Sequence, residues 1–308
     1  MSNITAGMVK ELRDKTGAGM MDCKTALTET KGDIEAAVDW LRKKGLSKAA
    51  KKADRVAADG LIGVKVAGLA GALVEVNSET DFVARNPEFQ TLVADIASVA
   101  PSAKGDLAKL LAAKYPGKSL SVEQQVTELV VKIGEKMSVR RTGALEVKSG
   151  CIAGYMHNKV ADGLGKIGVL VALESTAKDD KLIEIGRQIA MHVAARNPVA
   201  LDLAGVPADI IAREKAILME KNKDKPAHLL EKIAEGGLKA YAKENCLLEQ
   251  VFVLDEKKSV GQALKDVEKA AGTPIKLAGF LRYALGEGIE KKTGDFAAEV
   301  AAAVSGTR

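Results

Sequence analysis

The sequence predicts an α+β protein: a small N-terminal helical module, a two-part α+β core with small antiparallel sheets, an inserted antiparallel helical hairpin and a C-terminal helical module. Three observations carry this. Apolar residues recur at helical spacing as far as Gly45, β-rich runs bounded by glycine begin at Asp59 and again near Val139, and helical periodicity returns over 178–225. The boundaries read from these changes are 1–55, 56–140, 141–285 with the hairpin at about 178–225, and 286–308.

The first helix begins where Ile4 and Val9 flank Thr5 as a hydrophobic staple, places Met8 and Leu12 on one face, and stops at Thr16-Gly17-Ala18-Gly19. A second helix carries Cys23, Ala26 and Leu27 and breaks at Gly32. Asp33 then caps a third, with Ile34, Ala37, Val38 and Leu41 on its apolar face and Gly45 as its stop. Residues 46–58, rich in Ala and Lys, read as a helical linker.

Strands follow. The runs 61–66 and 72–76, separated by Gly68 to Gly71, predict a hairpin. A helix starts at Pro87, and another over Ser121 to Met137 opens with the capping box Ser121-Val122-Glu123-Gln124. The runs 139–147, 151–156 and 167–173 predict a second antiparallel group, giving two α+β halves in tandem. Leu182, Ile185, Ile189 and Val193, then Ile210, Ile211, Ile217 and Leu218, predict two long helices paired as a projecting hairpin. Beyond it come a helix over 226–243, a short helix over 259–270, a last strand over 275–284, and an Ala-rich helix over 296–304.

With 308 residues and 47% hydrophobic content the chain has material for two or three folding units. No apolar stretch approaches the roughly 18 residues of a membrane span, and Met1 to Lys10 lack the layout of a signal peptide. The expectation is a cytoplasmic protein. Cys23, Cys151 and Cys246 are odd in number and far apart, which suits a reducing compartment better than a disulfide framework or a zinc site.

Most of the net charge of +5 sits in residues 1–55, which hold 12 Lys or Arg against 8 Asp or Glu. The densest part is Arg42, Lys43, Lys44, Lys48, Lys51, Lys52 and Arg55, against the single acid Asp54. Such a run could touch nucleic acid or an acidic protein face, but it reads first as a solvated helix and linker. Aromatic content of 3% leaves bases few rings to stack on, against single-strand RNA recognition.

Motifs for chemistry are in the wrong places. Gly163-Leu164-Gly165-Lys166-Ile167-Gly168 has the letters of a dinucleotide fingerprint but leads into a strand, whereas that motif must leave a strand and open a helix. Gly117-Lys118-Ser119 mimics the end of a phosphate loop, but Ala112 stands where its first glycine belongs. His157, His192 and His228 lack paired zinc spacing, and there is no Gly-x-Ser-x-Gly turn. The expectation is no cofactor, no metal, no directly bound nucleotide and no enzyme activity. What remains is the loop Asn77 to Pro87: taken alone, Phe82 reads more often as a core residue than as a contact, yet the loop sets it with Asp81 at a strand end where rigid neighbours could present both to a partner.

Thr80-Asp81-Phe82-Val83-Ala84-Arg85-Asn86 resembles the Thr-Asp-Phe-Val-Ala signature of the elongation factor Ts family. Lys10-Glu11-Leu12-Arg13 through Thr16-Gly17-Ala18-Gly19-Met20-Met21-Asp22-Cys23-Lys24 is similar to its N-terminal signature. Further similarity lies at Ala57 to Gly60, Ile189 to Ala195, Gly286 to Lys291 and Asp295 to Val300, so the resemblance spans the chain. It implies a ubiquitin-associated-like N-terminal domain and exchange of guanine nucleotide on elongation factor Tu, a GTP-binding partner. It also implies that Met20, Met21, Asp81 and Phe82 touch the partner's GTP-binding domain, that Thr80 and Val83 of the same signature are partner-binding, and that His157 lies in the half reaching another partner domain. An RNA-binding translation protein using the basic run 42–55 is the alternative.

Overall fold

The computed structural model describes residues 4–290, apart from 17, 51, 53, 178 and 179. The chain opens with α1 (Ala6–Thr16), α2 (Met20–Glu29) and α3 (Ile34–Ala50), closed around Leu12, Cys23, Ala26, Leu27 and Ala37. Ile4 and Val9 pack on this cluster, and the Asp33 carboxylate accepts from the Ala36 amide at 3.0 Å, as the staple and cap predict. The stop expected at Gly45 does not occur, for α3 runs on to Ala50. Gly45 serves close approach instead: a Cβ there would lie 3.0 Å from Cγ2 of Val131, so the missing side chain lets α3 lie on α7 (Val122–Ile133).

The core consists of two antiparallel sheets packed face to face, with helices on both outer sides. In the first, β1 (Asp59–Ala67) and β2 (Ala70–Ser78) form the predicted hairpin, and the order is β3-β2-β1-β5, where β3 is Met137–Glu146 and β5 is Leu164–Gly165. The second has the order β4-β6-β9, from Gly150–His157, Ile167–Ser175 and Ile275–Ala284. Alternation along β2 serves two layers. Ala72, Val74 and Val76 meet Phe89, Leu92 and Val93 of α5 (Pro87–Ala103), whereas Leu73 meets Ile152, Leu170 and Ala172 of the second sheet.

Two expectations are corrected here. The run beginning at Val139 does not join the second sheet; β3 pairs with β2 along its whole length. The helix opened by Ser121, whose capping box is formed, ends at Ile133 with Gly134 in the left-handed region, and Met137 already belongs to β3. A bulge between Glu75 and Val76 leaves Arg140 as an extra residue in β3, so that both Arg140 and Arg141 reach the fully buried carboxylate of Glu75.

The helical hairpin also shifts along the chain. Leu182, Ile185, Ile189 and Val193 of α8 (Asp180–Arg196) face Val169, Val171 and Leu173 of β6, so α8 covers the second sheet instead of pairing with the next helix. The hairpin is formed by α9 (Ala208–Lys221) and α10 (Ala227–Asn245), with Leu218 seated on Gly237 and Ala200, Val206, Ala242 and Cys246 closing its base. Helical spacing names the apolar face but not what covers it, and a stripe facing a sheet reads like one facing a helix.

Two short helices, α4 (Asp81–Ala84) and α6 (Leu107–Ala112), and α11 (Val260–Ala271) complete the α-helices of the described residues, and a single 3-10 turn lies at Leu203–Gly205. A small hairpin of β7 (Val251–Phe252) and β8 (Asp255–Ser259), absent from the sequence reading, docks on α8 through buried His192. The Val253 amide donates to its Nδ1 at 3.2 Å, so Nε2 carries the proton and donates to Oε1 of Gln250 at 2.8 Å. The helix expected over 296–304 lies outside the described residues. Among the described residues no helix is long and apolar enough to cross a membrane.

Candidate functional site

The loop after β2 is built by polar contacts on its inner side. Asn77, at the end of the strand, is buried and donates to Oε1 of Glu75 at 3.1 Å and to the Asp59 carbonyl at 3.2 Å, which holds both strand ends of the β1–β2 hairpin. Oγ of Ser78 donates to the Thr80 carbonyl at 2.9 Å. Glu79 accepts from the Lys136 amide and from Arg55, and Lys136 Nζ in turn donates to the Arg55 carbonyl at 2.8 Å. Thr80 is bound to Glu135: its amide donates at 3.2 Å and its hydroxyl lies 3.0 Å from both carboxylate oxygens.

Helix α4 then turns outward for a single turn. Its inner residues Val83 and Ala84 are buried among Phe89, Leu92 and Val76, and Asn86 caps α5 by accepting from the Glu88 amide at 2.8 Å, with Pro87 in the first turn. With both ends fixed, the remaining side chains point to solvent. Asp81 and Arg85 pair at 2.7 Å, but both are well exposed, and such a pair contributes at most about 1 kcal/mol. Phe82 is 77% exposed, more than any other large apolar side chain among the described residues. The core reading of Phe82 is therefore excluded. Val83, which the resemblance placed beside it as a contact residue, is 4% exposed and packs inside, where it anchors the turn.

The next two most exposed large apolar side chains are Met21 and Met20, at 72% and 60%. They occupy the first turn of α2, whose opposite face puts Cys23, Ala26 and Leu27 into the small helical core. This module is tied to the same neighbourhood as the loop. Lys52 Nζ donates to the Gly134 carbonyl, Arg55 pairs with Glu79, and α3 lies on α7. Thr80, Asp81, Phe82 and Val83 thus share one loop, Met20 and Met21 sit on a separate module anchored beside it, and His157 stands apart at the exposed end of β4. Its Nδ1 is 3.2 Å from the Tyr155 hydroxyl, and its carbonyl accepts from the Lys166 amide.

The basic run 42–55 is partly engaged inside the molecule. Lys44 pairs with Asp22 and lies over the Trp40 ring, and Lys52 and Arg55 hold the linker against the turn after α7 and against Glu79. The glycine motifs take non-phosphate geometry. Gly163 to Gly168 passes from a turn through β5 into β6, and Gly117 to Ser119 lie in the turn that joins α6 and α7. Among the described residues no group of three His, Cys, Asp or Glu side chains is placed to hold a metal ion.

Sequence reasoning missed the clamp residues Glu135, Glu79, Arg55 and Lys136. Arg55 is legible only as part of the basic run and Glu79 only as part of the loop, and the local signal of Glu135 and Lys136 is a charged turn that reads as solvated surface until β2 and β3 pair and bring it to Thr80.

Residues 79–287 match the family model described as Elongation factor TS. The chain is 62% identical over 307 residues to the elongation factor Ts of Methylobacterium sp. strain 4-46, covering 99% of this chain and all of the relative. It is 61% identical to that of Xanthobacter autotrophicus over 98% and 99% of the two chains, and 58% identical to that of Parvibaculum lavamentivorans over 99% and 100%.

Proposed function

Because the chain belongs to the elongation factor Ts family and is by that descent a translation elongation factor, we propose that it promotes release of GDP from elongation factor Tu in the cytoplasm, by protein contact and without a covalent step. The observation that carries this reading is Phe82, an aromatic ring held in solvent by a turn fixed at both ends.

The mechanism follows from how GTP-binding proteins hold phosphate. Backbone amides at a helix N-terminus and a Mg²⁺ ion carry much of the grip, so a side chain that displaces either one weakens it. In this reading Phe82 is the wedge and Asp81 acts beside it. Met20 and Met21 add contact from the N-terminal module, His157 contacts a further partner domain, and Thr80 and Val83 hold the wedge in place. In this reading the segments 1–55, 56–140 and 141–285 each supply part of the contact.

Binding that weakens the nucleotide is weakened by nucleotide to the same degree, so fresh GTP expels the factor and the cycle repeats. Each tenfold of weakening requires about 1.4 kcal/mol of differential binding, whereas burying one Phe contributes about 1.5–3 kcal/mol. Phe82 must therefore act within a larger interface. The test is the release of labelled GDP from elongation factor Tu. An accelerated release supports the proposal, and a rate unchanged by saturating protein overturns it.

A further inference from the structure

We propose that Glu135 is a positioning residue for Phe82, acting through Thr80. The inference rests on the exchange function proposed above. Thr80 stands at the N-cap of α4 with extended backbone angles, the place where a threonine hydroxyl ordinarily accepts from an amide of the first turn. Here it makes no such cap bond. Its hydroxyl is turned to the Glu135 carboxylate, 3.0 Å from each oxygen, and its amide donates to the same group at 3.2 Å.

A four-residue helix has no stability of its own. On its C-terminal side α4 is secured by Val83 in the core and by the Asn86 cap, and on its N-terminal side by Thr80 bound to Glu135 and Ser78. Glu135 belongs to the turn between α7 and β3, whose other members hold the linker: the Gly134 carbonyl accepts from Lys52, and Lys136 binds Glu79 and the Arg55 carbonyl. The turn 134–136 thus joins the linker of the N-terminal module to the loop that carries Phe82. Without Glu135 the Phe82 turn samples other orientations, and the fraction of molecules with the ring poised for a partner falls.

A fall of that fraction to about one-tenth lowers the apparent exchange efficiency about tenfold. The test uses the full chain with Glu135→Ala, Glu135→Gln, Thr80→Val and Phe82→Ala. Hydrogen exchange in the free protein should be at least about tenfold faster at the Arg85 and Asn86 amides of Glu135→Ala, with the sheets unchanged. kcat/KM for GDP release from elongation factor Tu should drop about tenfold, with Glu135→Gln and Thr80→Val in between because each keeps part of the contact. In a Phe82→Ala background, Glu135→Ala should cost less than about threefold further, since its effect passes through the ring.

Unchanged amide exchange, or the same tenfold loss without the Phe82 ring, overturns the proposal. If Glu135→Ala does not fold, the same readings on Glu135→Gln and Thr80→Val decide. A wild-type chain that leaves GDP release unchanged sinks the exchange function, while the amide exchange of the free protein still decides whether Glu135 holds the turn.

Discussion

The backbone amide of Gly286 donates to Oε1 of Glu75 at 2.9 Å, a hydrogen bond spanning 211 residues of sequence. The same carboxylate receives Arg140, Arg141 and Asn77, and Arg140 continues to the Glu287 carbonyl at 2.7 Å. Gly286 has a φ of +70°, and a Cβ would fall 2.6 Å from the Ala58 carbonyl oxygen, so only glycine fits. One buried acid therefore joins the linker end, the first sheet and the turn after β9.

Glu75→Gln should destabilise the fold by about 3 kcal/mol, because it removes the buried charge that pairs with two arginines and turns one of the two accepting oxygens into an NH2 group facing donors. Burial alone would raise the Glu75 pKa, but the Gly286 amide, Arg141, Asn77 and Arg140 together hold it below the ordinary 4.5. A lowered folded pKa means stability present above pH 4.5 and lost as pH falls through the folded value. Denaturant midpoints measured from pH 6 to 3 should drop in the wild type below about pH 4.5 and drop less in Glu75→Gln.

His192 should give a second pH dependence at milder acidity. Burial pushes its pKa below the ordinary 6.5, the Gln250 hydrogen bond opposes this, and Arg196 adds to the lowering. The unfolded chain therefore takes up the proton first, and stability present above pH 6.5 declines as pH falls toward the folded pKa. In His192→Gln the slope of stability between pH 6.5 and 5 should flatten, whatever its stability at pH 8. An unaltered slope would assign that dependence to other groups.

Phe82→Ala should leave the melting temperature within about 2 °C of wild type and slow GDP release about 10- to 150-fold. The reason is that a Phe exposed at 77% has little to lose in its own fold, whereas a buried Phe→Ala costs about 3–5 kcal/mol. The rate estimate is the burial of one Phe, about 1.5–3 kcal/mol, converted to a ratio. Thermal unfolding and stopped-flow release on the same preparation separate the two quantities.

Met20→Gln combined with Met21→Gln should weaken binding to elongation factor Tu, with Kd rising about 10-fold, and leave unfolding unchanged. Both side chains are exposed on α2 and the helical core beneath them is untouched. Titration calorimetry against nucleotide-free elongation factor Tu measures this, and an unaltered Kd would remove the first turn of α2 from the interface.

The chain's own residues determined the α+β class, the three-helix start, the β1–β2 hairpin, the Ser121 capping box and the loop that holds Asp81 and Phe82, since each is written in short-range periodicity, caps and glycine turns. Tertiary structure alone decided three things. It assigned β3 to the first sheet, because strand pairing is a long-range choice that alternation does not encode. It laid α8 on the second sheet and left α9 and α10 to form the hairpin, because an apolar stripe does not name its cover. And it separated Phe82 from Val83, one in solvent and one in the core, because the direction of a single helical turn is set by what holds its ends: Glu135 at Thr80 on one side, Asn86 and α5 on the other.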